Sequence, residues 1–151
     1  MARRYGVIGA AAVGSNKTVL GLTSAATIRP KIYDVVVGCG ATPADGATSF
    51  QLQRYTVAGT AGATANIVAL DPADPSSLAT AGTGVYTAEP TYTASTEMAA
   101  FSVNQRNTFR WVAAPGGEIV LPATAANGVG LRSDATSGIT ATHEATFFFE
   151  E

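Results

Sequence analysis

A chain of 151 residues with 46% hydrophobic residues, 13% charged residues and a formal net charge of -2 is one folded domain's worth of sequence. A domain of that size removes about 68–70% of its unfolded surface from water, enough for a self-sufficient core, so residues 1–151 are expected to form one domain. The charge balance lacks the basic footprint that a phosphate backbone requires, which argues against nucleic acid as a partner. The single cysteine, Cys39, excludes an intrachain disulfide and a multi-cysteine metal centre, and no run approaches the ~18 apolar residues of a membrane span.

Arg3-Arg4-Tyr5 ahead of GVIGAAAV imitates a signal peptide. Gly6 and Gly9 weaken a helical reading of that run. Residues 1–5 therefore read as an N-terminal arm and 5–8 as a short strand, and the protein is expected to work where it is made or in a particle assembled there. After the turn cluster Gly14-Ser15-Asn16, residues 18–22 read as a second strand. In 31–39, KIYDVVVGC, strict alternation puts Tyr33, Val35, Val37 and Cys39 on one face and Ile32 and Val36 on the other. Both faces are apolar, as in a strand central to a sandwich or covered by a neighbouring subunit. Cys39 reads as a small core residue, since no basic neighbour in sequence would activate its thiol.

Thr42-Pro43-Ala44-Asp45-Gly46 is a turn, and 50–57 alternates Phe50 and Leu52 against Gln51 and Gln53 as a half-buried strand. From 58 to 84 the pattern breaks into one long irregular loop, interrupted by a short strand at 67–70. Strand signals return at 85–88, 91–94 and 97–104, the last placing Ala99, Phe101 and Val103 on one face. Residues 109–123, FRWVAAPGGEIVLPA, carry the clearest hairpin signal: a turn at Pro115-Gly116-Gly117 would set Ala114 opposite Glu118 and Trp111 opposite Leu121. Phe109, Ala113, Ile119 and Ala123 would then share one face, and an enclosed Trp111 would anchor the core. Asn127-Gly128 leads into a strand at 129–132, and Ser137-Gly138 precedes a final strand at 139–150. There His143, Ala145, Phe147 and Phe149 face one way and Glu144, Thr146, Phe148 and Glu150 the other. Many short strands with Gly, Pro, Asn and Asp turns, and no helix of ordinary length, predict an all-β antiparallel sandwich, jelly-roll-like, in one domain.

The chemistry-bearing residues give mostly exclusions. His143 is the only histidine and falls on an apolar face, where a hydrogen-bonded structural histidine is the expected role. No Gly-x-Ser-x-Gly elbow, phosphate loop or zinc ligand set is present, so no catalytic residue, cofactor or metal is expected. Asp71 and Asp74 in DPADP could meet a hard cation, but the flanking prolines already explain a rigid turn. Phe148 stands out as a large aromatic on the polar side of its strand, a pattern that suits a subunit or partner contact.

RPKIYDVVVG, ATPADGA, FQLQRYTVAGTAG, ALDPADPSSLATAG, AEPTYTA, VNQRNTFRWVAAPGGEIVLPATAANGVGL and the closing EATFFFEE together resemble a family of small jelly-roll-like virion proteins of tailed bacteriophages. The likeness runs from about Thr18 to the C-terminus. It implies a non-enzymatic decoration or cement protein on the outer surface of the head, bound to the major capsid protein and self-associated as a homotrimer. It brings no active site with it. The contacts expected on that reading are the arm residues Arg3, Arg4 and Tyr5, the loop 58–84, and Tyr33, Val36 and Phe148. The alternative is a tail or fibre module that binds a receptor or carbohydrate, with Tyr86, Tyr92 and Trp111 as its exposed aromatics.

Overall fold

The computed structural model describes residues 2–134 and 140–151. In chain order its strands are β1 (Arg4–Val13), β2 (Thr18–Thr23), β3 (Lys31–Cys39), β4 (Ala47–Val57), β5 (Ala63–Thr64) and β6 (Ile67–Ala69). Then come β7 (Thr80–Thr83), β8 (Thr91–Asn104), β9 (Phe109–Val112), β10 (Ile119–Val120), β11 (Gly128–Ser133) and β12 (Ala141–Glu150). Every pairing is antiparallel. Sheet A has the order β10-β3-β12-β1-β6, with β9 also on β3, and sheet B the order β5-β7-β2-β11-β4-β8.

Setting aside the short β5, β6 and β7 and joining β9 to β10, the remaining strands form two four-stranded sheets. The main chain crosses between them at nearly every connection. That double Greek key is the jelly-roll arrangement, so the expected all-β sandwich is present. The core lies between the layers, where alternate residues of facing strands meet: Val7, Val35 and Phe147 from sheet A pack against Leu20, Leu52 and Leu131 from sheet B. Phe147 and Phe149 are fully buried and Phe148 is not, as period-two alternation of β12 requires. The expected Ser137-Gly138 turn and Ile139 lie outside the described residues.

Five expectations about local structure are overturned. Residues 109–123 are not a hairpin. β9 pairs Val35 with Trp111, β10 pairs Ile32 with Ile119, and both therefore lie end to end along the same edge of β3. The turn itself exists, with Gly117 N–H donating to the Ala114 carbonyl at 2.8 Å and Gly116 at φ +81°. Pro115 then Gly116 with positive φ is the type II pattern, which loops the chain out and lets it rejoin β3. Trp111 accordingly packs against the core from an open edge and is only half-buried.

The alternation of β3 is broken by a bulge. Phe148 faces Asp34 but Phe149 faces Ile32, which leaves Tyr33 as an extra residue. Ile32 therefore joins Val35 and Val37 in the core, and Tyr33 turns to the outer face with Val36. Cys39, at the strand's end, is half-buried, and its thiol donates to the Ala41 carbonyl at 3.3 Å.

Residues 58–84 are not one irregular loop but an insertion that carries β5, β6 and β7. It adds β6 to the β1 edge of sheet A and β7 to the β2 edge of sheet B. The insertion closes that side of the sandwich, with Gly84 N–H donating to the Ala10 carbonyl at 3.2 Å and Thr83 Oγ1 to that of Val19 at 2.9 Å. Residues 85–88 form no strand; Ala88 makes an isolated bridge to Thr60. The two predicted strands at 91–94 and 97–104 are one strand, β8, interrupted by a register break where Ser95 takes φ 58°.

Candidate functional site

The outer face of sheet A is where unsatisfied apolar surface collects. Gly6, on β1, lacks a side chain on the outer face, and the Phe148 ring lies over it: a Cβ on Gly6 would come within 3.3 Å of that ring and 3.7 Å of the Leu70 side chain. Around this point Ile8 is 68% exposed, Val68 55% and Leu70 51%, and they lie close enough together to form one apolar patch. With Asn66 and Thr146 they line an open groove of about 480 Å³. The groove is apolar because β1 presents glycine and alanine there, and β6 contributes only its outward Val68.

The bulge extends the patch across β3. Tyr33 stacks beside Phe148 with ring centroids 6.5 Å apart, and the Arg4 guanidinium sits 6.0 Å from the Tyr33 ring. Partial burial and the carboxylates of Asp34 and Glu150 raise the Tyr33 pKa, against the lowering pull of Arg4. Val36 faces Thr146 on the same face one step further on. Asp34 is nearly buried beneath Arg110, whose Nε lies 3.1 Å from both carboxylate oxygens and whose second nitrogen lies 2.5 Å from Oδ2. That fork holds β9 to β3, so charge on this face is neutralised locally. At the rim, Lys31 pairs with Glu150 at 3.2 Å.

Of the predicted contact residues, Arg4, Tyr33, Val36 and Phe148 share this face. Arg3 lies at its end, where its backbone exchanges hydrogen bonds with Glu151 at 3.1 and 3.0 Å. Tyr5 is not a surface residue: it is fully buried, stacks on Phe149 at 5.4 Å, and its hydroxyl donates to the Pro75 carbonyl at 3.1 Å. Arg3, Arg4 and Tyr5 are thus docked, with Arg4 and Tyr5 already in β1. Sequence reasoning missed Ile8, Val68 and Leu70. The available signal was Ile8, the one large apolar residue on the face of β1 that otherwise holds Arg4, glycine and alanine.

The other candidates do not come together as a site. Tyr86 is buried over sheet B and Trp111 lies between the sheets at the opposite edge, so Tyr86, Tyr92 and Trp111 do not form one aromatic platform. Asp71 Oδ1 accepts from the Ala73 N–H at 2.9 Å and Asp74 lies 4.0 Å from Arg3, which makes DPADP a hydrogen-bonded turn. Among the described residues no group of three or more His, Cys, Asp or Glu could hold a metal ion. His143 is buried, with its ring edge-on to Phe50 at 5.0 Å and Nδ1 3.2 Å from the Ala141 carbonyl. Its Nε2 is buried without a hydrogen-bond partner, and burial lowers its pKa.

No protein-family model, curated protein or solved structure matches the chain.

Proposed function

We propose that the chain is a capsid decoration protein of a tailed bacteriophage, which binds the major capsid protein on the outer surface of the head and stabilises the shell by adhesion. On this reading it also associates with itself as a homotrimer. The observation that carries the proposal is the apolar outer face of sheet A, with Ile8, Val68 and Leu70 each more than half exposed around Phe148. Contiguous exposed apolar surface on a sheet that none of the described residues covers is the usual mark of an interaction site. The fold is compatible with the proposal and does not select it, since jelly rolls serve as capsid domains and as lectins alike.

The test is co-sedimentation of the purified chain with phage heads stripped of it. The expected result is saturable binding that Phe148→Asp abolishes while the β circular-dichroism spectrum is unchanged. Absence of head binding together with attachment to host surface glycans would instead favour the tail or fibre module.

A further inference from the structure

Each sheet of the sandwich has two edges, and the chain treats them differently. On one side the insertion caps them with β6 and β5, which are three and two residues long. On the other side sheet A ends in β9 and β10, of four and two residues, split by the loop at Pro115 and carrying Arg110. Short strands, proline, charge and interruption are the devices that keep an edge from pairing with another chain. The remaining edge, β8, uses fewer of them along 97–104: one bulge at Met98 and one charge, Glu97. β8 is 14 residues long and has β4 as its only neighbour among the described residues. Its register breaks lie between Thr91 and Ala99, the last leaving Met98 as an extra residue between Glu97 and Ala99, so that 99–104 pairs with β4 without a break. The second half, EMAAFSVN, contains no proline, lysine or arginine, and its one charge, Glu97, is turned to Gln53, whose amide donates to Oε1 at 2.8 Å.

The same side of the molecule holds a second incomplete feature. Phe101 of β8 stacks on Phe109 of β9 across the open mouth of the sandwich, centroids 4.0 Å apart, and both rings remain half-exposed beside Trp111. Val112 at this edge is 56% exposed. An occupant that extends sheet B by one strand would take up the free backbone groups of 97–104 and cover this aromatic row together.

We propose that the occupant is a second copy of this chain, β8 pairing antiparallel with β8 about a two-fold axis to make one continuous sheet. Charge permits it: any register centred on Ala100 or Phe101 keeps Ala99, Phe101 and Val103 on the core side and sets Glu97 opposite an uncharged residue. Area permits it as well. At ~3.4 Å per residue the edge runs about 27 Å, and with two layers ~10 Å apart plus side chains it presents roughly 500–700 Å² per copy. The total of roughly 1,000–1,400 Å² reaches the range of specific interfaces. A two-fold contact is isologous, so one edge suffices for both partners. The inference goes beyond the adhesion of the sheet A face and uses a different surface.

Size-exclusion chromatography with light scattering on the full chain tests it. Wild type is expected at twice the chain mass or an even multiple of it. Ala100→Lys places like charges across the axis at an exposed edge position and is expected to halve that mass, and an equimolar mixture of Ala100→Lys with Ala100→Glu to restore it. Hydrogen exchange on wild type supplies a readout independent of any variant: amides of 97–104 are expected to slow as protein concentration rises. A monomer at every concentration, an assembly indifferent to Ala100→Lys, or concentration-independent exchange in 97–104 would each overturn the proposal. Phe148→Asp leaves this contact intact, so failure here and failure of the head-binding reading are distinguishable.

Discussion

Raising the pH above 10 is expected to unfold this protein steeply, because its tyrosines are packed where a tyrosinate cannot be solvated. The cause lies in the glycines of sheet B. Gly21, Gly128 and Gly130 face outward without side chains, and Tyr55, Tyr86 and Tyr92 lie over them: the Tyr55 ring over Gly128, the Tyr92 hydroxyl over Gly130, and the Tyr86 hydroxyl over Gly21. Tyr55 and Tyr92 meet edge to face at 5.9 Å, their hydroxyls 2.7 Å from Thr23 Oγ1 and 2.8 Å from Thr18 Oγ1 respectively. Burial raises all three pKa values, Tyr86 to about 12 and the other two further. A folded pKa above the unfolded value of 10.0 means stability that is intact below pH 10 and lost as pH climbs toward the folded pKa. Each such group removes about 1.4 kcal/mol per pH unit in that window, so Tyr55 and Tyr92 together remove roughly 2.7, and Tyr86, whose rise is smaller, adds less. By pH ~12 the loss of about 5 kcal/mol equals the whole stability of a marginal domain. The assay is tyrosinate absorbance followed alongside circular dichroism. Both should change in one cooperative transition, and Tyr92→Phe should make it shallower. Reversible ionisation of all five tyrosines near pH 10 with the fold intact would refute the packing argument.

Three further outcomes follow from named contacts. His143 is buried neutral with a lowered pKa, so urea stability should fall as pH drops below the unfolded value of 6.5, by at most about 1.4 kcal/mol per pH unit, and His143→Phe should flatten that dependence. Gly130→Ala would set a Cβ 2.2 Å from the Tyr92 hydroxyl, displacing the ring from Thr18 and from Arg132, 4.8 Å away; the expected cost is about 1–3 kcal/mol by urea denaturation. Arg110→Ala should lower the urea midpoint more than Asp34→Asn, since the first strands a buried carboxylate while the second leaves the arginine in water. Equal effects would mean the ion pair holds nothing in place.

What the sequence makes legible is local. Alternation alone places Phe147 and Phe149 inside and Phe148 outside, and the bounds of β3 follow from its apolar run. What it conceals is which strand each segment meets. The 109–123 turn chemistry is real, but β3 offers the two arms a longer partner than they offer each other. A one-residue bulge at Tyr33 moves Ile32 inward, and no periodicity rule contains it. The patch residues Ile8, Val68 and Leu70 meet only because the insertion lays β6 beside β1, a pairing of residues some 60 positions apart in sequence. Phe148 could be singled out as a contact residue because a large aromatic on a polar strand face conflicts with its own alternation. Tyr5 misled because charge beside it suggested a free arm, while its ring fills the core.

The most direct measurement of the central claim is cryo-electron microscopy of intact phage particles. The account predicts density for this jelly roll on the outer head surface, at local threefold or quasi-threefold points, with the Ile8–Phe148 face covered by protein. Particles that lack the chain, or that carry it with that face open to solvent, would contradict it.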